Sequence, residues 1–411
     1  MNNKKTILFL APRYPLPLIG GDRLKSFHLL KYLCTKYNVK LLAFYHGSDY
    51  NSEILDQLKE IGVDVTYFKL NAVSQGLYSA LGVLKFVPLE ISFYYNSEFQ
   101  DAVNNYIKNN DVDLVVSFFM RTANYIANKK TLELIDQKSK LQGKSIKKML
   151  IAEDCRRVYM HRSFKNSKNI LQKLVRFWES KTLEKFEPNI VNYFDVTTLV
   201  SDFDIKSMKN GSNYKNYKLL TNGTDIENYQ SSNYFERKNI IFVGKLDVYA
   251  NELMIRRIVE KILPKVIEFD PSIKLQIVGK HANNYIKSLK SKNIEIYENV
   301  KDVKDYYQSN LLFVHPHYGG SGIQNKIIEA MASGCIVITT PIGNQGINGK
   351  DNINLLLANN DDEMADKCIQ VLKNPEQYED ISINAKLHIQ DNLSWDRVYT
   401  DLQKILDDLG I

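Results

Sequence analysis

The chain has 411 residues, 44% hydrophobic and 25% charged, with a formal net charge of +7. A single hydrophobic core stops growing at roughly 250 to 300 residues, so two domains of about 200 each are expected. Nineteen glycines and ten prolines are too few for a collagenous or disordered chain. Four scattered cysteines (Cys34, Cys155, Cys335, Cys368), never in C-x-x-C spacing, indicate neither a zinc site nor a disulfide framework and fit a reducing cytoplasm.

The N-terminal run TILFLA is short, ends at Pro12 and lacks a small-residue cleavage site, which favours a buried first strand over a signal peptide. Helix-like and strand-like segments then alternate: a helix over 22–37, VKLLAFYH, a helix over 51–61, VDVTYFKL, DLVVSFF, MLIAED, DVTTLVS and YKLLTNG. Such alternation argues for a parallel sheet flanked by helices. The most apolar longer stretch, 77–95, is interrupted by Lys85, Pro88 and Glu90, short of the ~20 residues a membrane span requires. Turn-rich residues 228–238 break the pattern, which restarts with NIIFVGKL, KLQIVGK, NIEIY, NLLFVHP and CIVITTP. Two α/β units joined by a linker follow: residues 1–223, a linker over 224–238, and 239–395.

Charge divides the same way. Residues 1–215 carry 32 basic and 21 acidic side chains, +11, whereas 216–411 carry 22 and 26, or −4. Between Arg156 and Lys185, nine basic residues including Lys168, Lys173 and Arg176 face only Glu179 and Glu184, with Leu171, Leu174, Val175, Phe177 and Trp178 interleaved. One reading is a basic helix that meets an anionic membrane or substrate; the other is a solvated helix with its apolar face in the core. No recognition motif for nucleic acid accompanies the charge.

In parallel sheets ligands bind beyond the carboxyl ends of strands, so chemistry is sought there. The segment 316–334, PHYGGSGIQNKIIEAMASG, has Ser321 and Gln324 in capping-box spacing, which predicts a helix starting there and ending near Gly334. Gly319, Gly320 and Gly322 would leave amides open to an anion, and Lys326 and Glu329 share a face with Gly322 and Asn325. This pattern suits a nucleoside diphosphate, with amides and Lys326 on the phosphates and Glu329 on ribose hydroxyls. Gly20 and Gly21, followed by Asp22 and Arg23, form a glycine turn but not the G-x-G-x-x-G of a nicotinamide site. Arg121, Glu153 and Asp154 also fall at strand ends, as acceptor-side candidates. Asp111 with Asp113 and Asp202 with Asp204 spell D-x-D, and His315 alternates with His317, but none has partners that make a metal site.

These residues resemble the family four glycosyltransferases of the GT-B fold. The resemblance rests on residues 316–347, with EAMASG, VITTP and GNQGI, and on GGDR at 20–23, TNGTD at 221–225, FVGKLD at 242–247 and Trp395 before the terminal segment, and it spans nearly the whole chain. It implies two Rossmann-like domains facing across a cleft, with a helix over 396–411 returning to the first. It further implies a configuration-retaining, metal-independent transfer from a UDP- or GDP-sugar, without another cofactor, to a glycan, lipid-linked or protein-linked acceptor. The expected location is cytoplasmic or peripheral on the inner membrane face. By resemblance Lys245 contacts the diphosphate beside Gly244, and Gly279 and Val300 border the nucleobase. The loop Gly320, Ser321, Gly322, Ile323, Gln324 and Asn325 surrounds the donor, and Gly20, Gly21 and Arg23 oppose its diphosphate. The family's first donor-site glutamate falls on Ser321, its second Lys after V-G on Ala250, and its usual histidine near Glu153 is missing. Those departures keep open an alternative, a GT-B scaffold or partner subunit with little or no transfer activity.

Overall fold

The computed structural model describes residues 4–18, 20–45, 57–167, 169–229 and 233–411. They divide into two units: the first holds the chain to Leu220 with Gly320–Gly322 and Tyr399–Ile411, the second Thr221–Gly319 and Ile323–Val398.

The first unit is built on seven parallel strands, β1 (Thr6–Ala11), β2 (Asn38–Tyr45), β3 (Asp64–Lys69), β4 (Leu114–Phe118), β5 (Lys147–Glu153), β6 (Val196–Leu199) and β7 (Tyr217–Leu219), in the order β3-β2-β1-β4-β5-β6-β7. Phe9 lies beside Leu41 on one side and Val116 on the other, and the register shifts between Ile151 and Glu153 where β5 pairs with β6. β1 and β4 read as unbroken apolar runs because helices cover both faces of a parallel sheet, and Ile7 to Ala11 are fully buried. The first helix, Gly21–Lys36, begins at Gly20, whose φ of 102° a side chain would strain. Of the helix expected over 51–61, residues 57–60 are helical and 51–56 lie outside the described residues. The C-terminal residues pack on this unit, with Tyr399 stacked on Tyr32 at 4.8 Å and Lys218 on Asp408 at 2.8 Å.

The second unit repeats the plan with β8 (Ile240–Lys245), β9 (Leu275–Lys280), β10 (Ile294–Glu298), β11 (Leu312–His315), β12 (Ile336–Thr339) and β13 (Leu356–Leu357), in the order β10-β9-β8-β11-β12-β13. The two-residue β13 has no apolar run of strand length and escapes a reading based on periodicity. Within the linker region, Ile226–Asn228 and Tyr234–Glu236 form 3-10 turns, and 230–232 lie outside the described residues.

The basic segment is two helices, not one: Arg156–Asn166 and Ile170–Ile190, the second capped by Asn169, which accepts from the Gln172 amide. Lys168 lies outside the described residues. Part of the charge is spent within the unit, Arg156 on Glu90 at 3.0 Å and Arg157 on Glu187 at 3.6 Å. Leu171, Leu174, Val175 and Phe177 are exposed, so of the two readings of this segment the one with a core-facing apolar stripe is not what the fold shows.

Candidate functional site

In each sheet the strand order reverses beside the first strand of the unit, and such a reversal opens a crevice at the carboxyl edge. In the second unit this point lies between β8, ending at Gly244 and Lys245, and β11, ending at His315. Gly244 pairs laterally with Gly279 on β9, and a Cβ on Gly279 would lie 1.8 Å from the Gly244 carbonyl oxygen. The two strand ends approach this closely only with glycine present. Asn251 then ties the edge together: its Nδ2 donates to the Lys245 carbonyl at 2.8 Å, and its Oδ1 accepts from Lys326 Nζ at 2.6 Å. The ammonium of Lys245 itself is half exposed, 3.5 Å from Asp247.

Lys326 and Glu329 stand on the helix Asn325–Ala332, whose opposite face buries Ile327, Ile328, Ala330 and Met331. The Tyr307 hydroxyl lies 3.3 Å from Glu329 Oε2, and Asn222 donates to Asn325 Oδ1 at 2.8 Å. Burial pushes the Glu329 carboxyl up to about 7 against the opposing effects of Tyr307 and Lys326. Burial likewise lowers Lys326 to about 8, with Glu329 opposing. A neighbouring acid and base are thus both biased toward neutrality, a bias that charge on a bound ligand would change. Val300, after Asn299 at φ 58°, and Ile323 pack against the core under this edge.

The capping box does not form. The helix starts at Asn325, and Gln324 occupies the cap position without a side-chain bond. Gly320 and Gly322 take φ of 93° and 74°, breaking helical geometry between Ser321 and Gln324, so Gly322 shares no helix face with Lys326. The Ser321 hydroxyl instead lies 2.5 Å from Asp154 Oδ2 within the first unit, where Arg162 also donates to the Gly320 carbonyl at 2.6 Å. The far end is as expected: Gly334, at φ 74°, closes the helix, and the Cys335 amide reaches the Ala330 carbonyl at 3.0 Å.

In the first unit, the carboxyl-edge charges are largely paired among themselves. Glu153, at φ 70°, is buried 2.7 Å from Lys25, whose Nζ also donates to the Leu220 carbonyl at 2.7 Å. That contact gives Glu153 a structural partner at the strand end. Arg121 lies 3.6 Å from Glu90 and over the rings of Tyr94 and Phe119. Burial pushes Glu90 upward, but Arg156 and Arg121 outweigh it and hold the carboxyl below its ordinary value. Gly21 opens the first helix, Asp22 pairs with Arg13 at 3.3 Å, and Arg23 is buried. Among the D-x-D residues, Asp113 accepts from the Thr6 amide and pairs with Lys144, and Asp204 accepts from the Cys155 amide and the Ser201 hydroxyl. Among the described residues no three His, Cys, Asp or Glu side chains gather as metal ligands would.

Residues 237–374 match the family described as Glycosyl transferases group 1. The chain is 23% identical over 409 residues to an uncharacterized 44.6 kDa protein in the cps region of Klebsiella pneumoniae, covering 97% of this chain and 99% of that one. It is also 23% identical over 331 residues to the capsular polysaccharide biosynthesis glycosyltransferase CapH of Staphylococcus aureus, covering 79% and 78%. Among solved structures, Anabaena HepE in complex with UDP superposes with a TM-score of 0.65 at 14% identity, covering 98% of this chain and 100% of that one. The fold is GT-B. Together these likenesses support glycosyltransferase function.

Within this GT-B frame, Asn251 and Tyr307, which the sequence did not single out, join the candidate donor edge, as does His315, which it weighed only as a metal ligand. Asn251 sits one place beyond the Ala250 that replaces the family's second lysine, and it anchors Lys326 to β8. Tyr307 is fully buried, and its bond to Glu329 has no local spacing that reveals it. His315 stacks on His317 at 5.3 Å, and its Nδ1 lies 3.3 Å from the Thr339 hydroxyl, which itself donates to the His315 carbonyl. The buried Nε2 has no hydrogen-bond partner among the described residues. Burial and the nearby Lys326 hold His315 neutral.

Proposed function

We propose that this chain transfers a sugar from a nucleoside-diphosphate sugar to a glycan, lipid-linked or protein-linked acceptor with retention of configuration. The observation that carries the reading is the Lys245, Asn251, Lys326 and Glu329 cluster at the switch point of the second sheet. Breaking the glycosidic bond places negative charge on the leaving diphosphate, which Lys326, Lys245 and the amides ahead of Asn325 would stabilise. Glu329 accepts from the ribose hydroxyls. Gly244, Gly279 and Val300 border the nucleobase and phosphates at the strand ends. UDP-sugars are the first donors to test, since HepE was crystallised with UDP, and the capsular name of CapH supports a role in surface polysaccharide synthesis.

No helix among the described residues is long and apolar enough to cross a membrane. The exposed Leu171, Leu174 and Val175 beside Lys173 support peripheral attachment at the inner membrane face.

Two measurements test the donor site. Glu329→Ala should weaken UDP binding by about 1.5 to 3 kcal/mol, the worth of hydrogen bonds to a charged group. Unchanged affinity in calorimetry removes Glu329 from the site. Transfer should also survive EDTA, because the lysines supply the charge; activity lost on chelation and restored by manganese or magnesium overturns that mechanism. The engagement of Ser321 by Asp154 favours the second reading, a partner subunit without transfer, and donor hydrolysis by the purified chain decides between them.

A further inference from the structure

The first unit contains a cavity of about 760 Å³, the volume of a sizeable small-molecule site. It has two unlike walls. Leu81, Val87 and Ile91 supply an apolar one, while Lys85 and Lys130 place two cations around it against Asp101, beside an Arg121 that already lies 3.6 Å from Glu90. The helix Ala72–Leu84, which contributes Leu81 to the apolar wall, carries no charged side chain along its length. Val73, Leu77 and Leu84 on it are nevertheless 83, 62 and 78% exposed. Residues 73, 77, 81 and 84 recur at helical spacing, so they form one apolar stripe leading from the cavity outward. A water-facing helix with such a stripe is a docking surface rather than a solvated one.

The helix is also tied to its neighbours. A Cβ on Gly82 would lie 2.0 Å from Ser92 Oγ, so the backbone packs hard on the segment below. Beyond its C-terminus the Phe86 ring meets Trp178 at 5.1 Å, which joins it to the helix that exposes Leu171, Leu174 and Val175. An occupant must therefore combine a hydrocarbon portion that lies along the stripe with an anionic head that reaches Lys85 and Lys130.

We propose that this cavity binds an anionic amphiphile, a phosphate or diphosphate carried on a long hydrocarbon chain, and so makes the acceptor lipid-linked. The inference rests on the acceptor side of the function proposed above and narrows its three acceptor classes to one.

The test uses the full chain with farnesyl phosphate below its micellar concentration, and with farnesol and inorganic phosphate as half-ligands. Farnesyl phosphate should bind at least tenfold more tightly than either half. Lys85→Glu/Lys130→Glu, at two exposed positions, should reduce its affinity at least tenfold, and Leu81→Gln severalfold. A photoreactive farnesyl phosphate should label peptides within 78–100 and 121–130. Equal binding by wild type and variants, binding no better than farnesol, or label confined elsewhere overturns the assignment. Thermal stabilisation by UDP is read in the same samples. UDP stabilisation without farnesyl phosphate binding removes the lipid assignment and leaves the donor site standing. The reverse result removes the donor reading and leaves the cavity's ligand established.

Discussion

The two sheets share one plan, yet they treat charge at their carboxyl edges in opposite ways. In the first unit the edge charges neutralise each other: Lys25 with Glu153, Arg121 and Arg156 with Glu90, Arg13 with Asp22. In the second, Lys326 is held by the neutral Asn251, and Glu329 is bonded by the neutral Tyr307. Pairing within the chain stabilises the fold, whereas Lys326 and Glu329, buried beside neutral partners and biased toward neutrality, are groups whose ionisation a bound ligand would shift. The apolar side chains divide as well, since the stripes of Val73 to Leu84 and of Leu171 to Val175 both belong to the first unit. The first unit offers hydrocarbon and a strand edge whose charges are paired; the second offers an acid and a base that burial biases toward neutrality.

The sharpest way to break this contrast is Lys25→Met. It leaves Glu153 buried without its partner, and loss of one member of such a pair costs about 3 to 5 kcal/mol. Urea denaturation at neutral pH should show that loss, and adding Glu153→Leu should recover most of it. If Lys25→Met alone is neutral, the first-unit edge is not a self-neutralised structure.

A smaller effect is expected at the meeting of β8 and β9. Gly279→Ala drives a methyl against the Gly244 carbonyl, and overpacking of this kind costs about 1 to 3 kcal/mol. Because the shift moves Lys245 as well, UDP affinity should fall with stability. Stability lost with UDP affinity intact would separate the strand contact from the donor edge.

The smallest effect concerns the sign of the second-unit charges. The Glu329 carboxyl is raised from 4.5 to about 7 in the folded chain, so its ionisation opposes folding. That cost is absent below pH 4.5, grows between pH 4.5 and 7, and is complete above 7. Glu329→Gln should therefore match wild type near pH 4.5 and exceed it by about 1 to 2 kcal/mol at pH 8, after allowance for partial solvent access. A variant less stable than wild type at pH 8 would show that Glu329 is paired for stability, as in the first unit.

Much of this molecule is legible in its sequence, because its signals are local. Each of the twelve apolar runs read as strands became one, since parallel strands covered on both faces must be continuously hydrophobic. Gly20 opens one helix and Gly334 closes another as read, because a positive φ is a property of one residue. Lys326 and Glu329 share a helix face because three-residue spacing guarantees it. What the tertiary structure decided concerns partners distant in sequence. Ser321 has the spacing of a cap but bonds Asp154, 167 residues away, between two glycines that preclude a helix there. Glu153 lies at a strand end, as a site residue would, but Lys25 claims it, and Lys326 depends on Asn251, 75 residues earlier. Spacing along a chain determines which residues share a face, whereas neutralisation of a charge depends on which other segment folds against it.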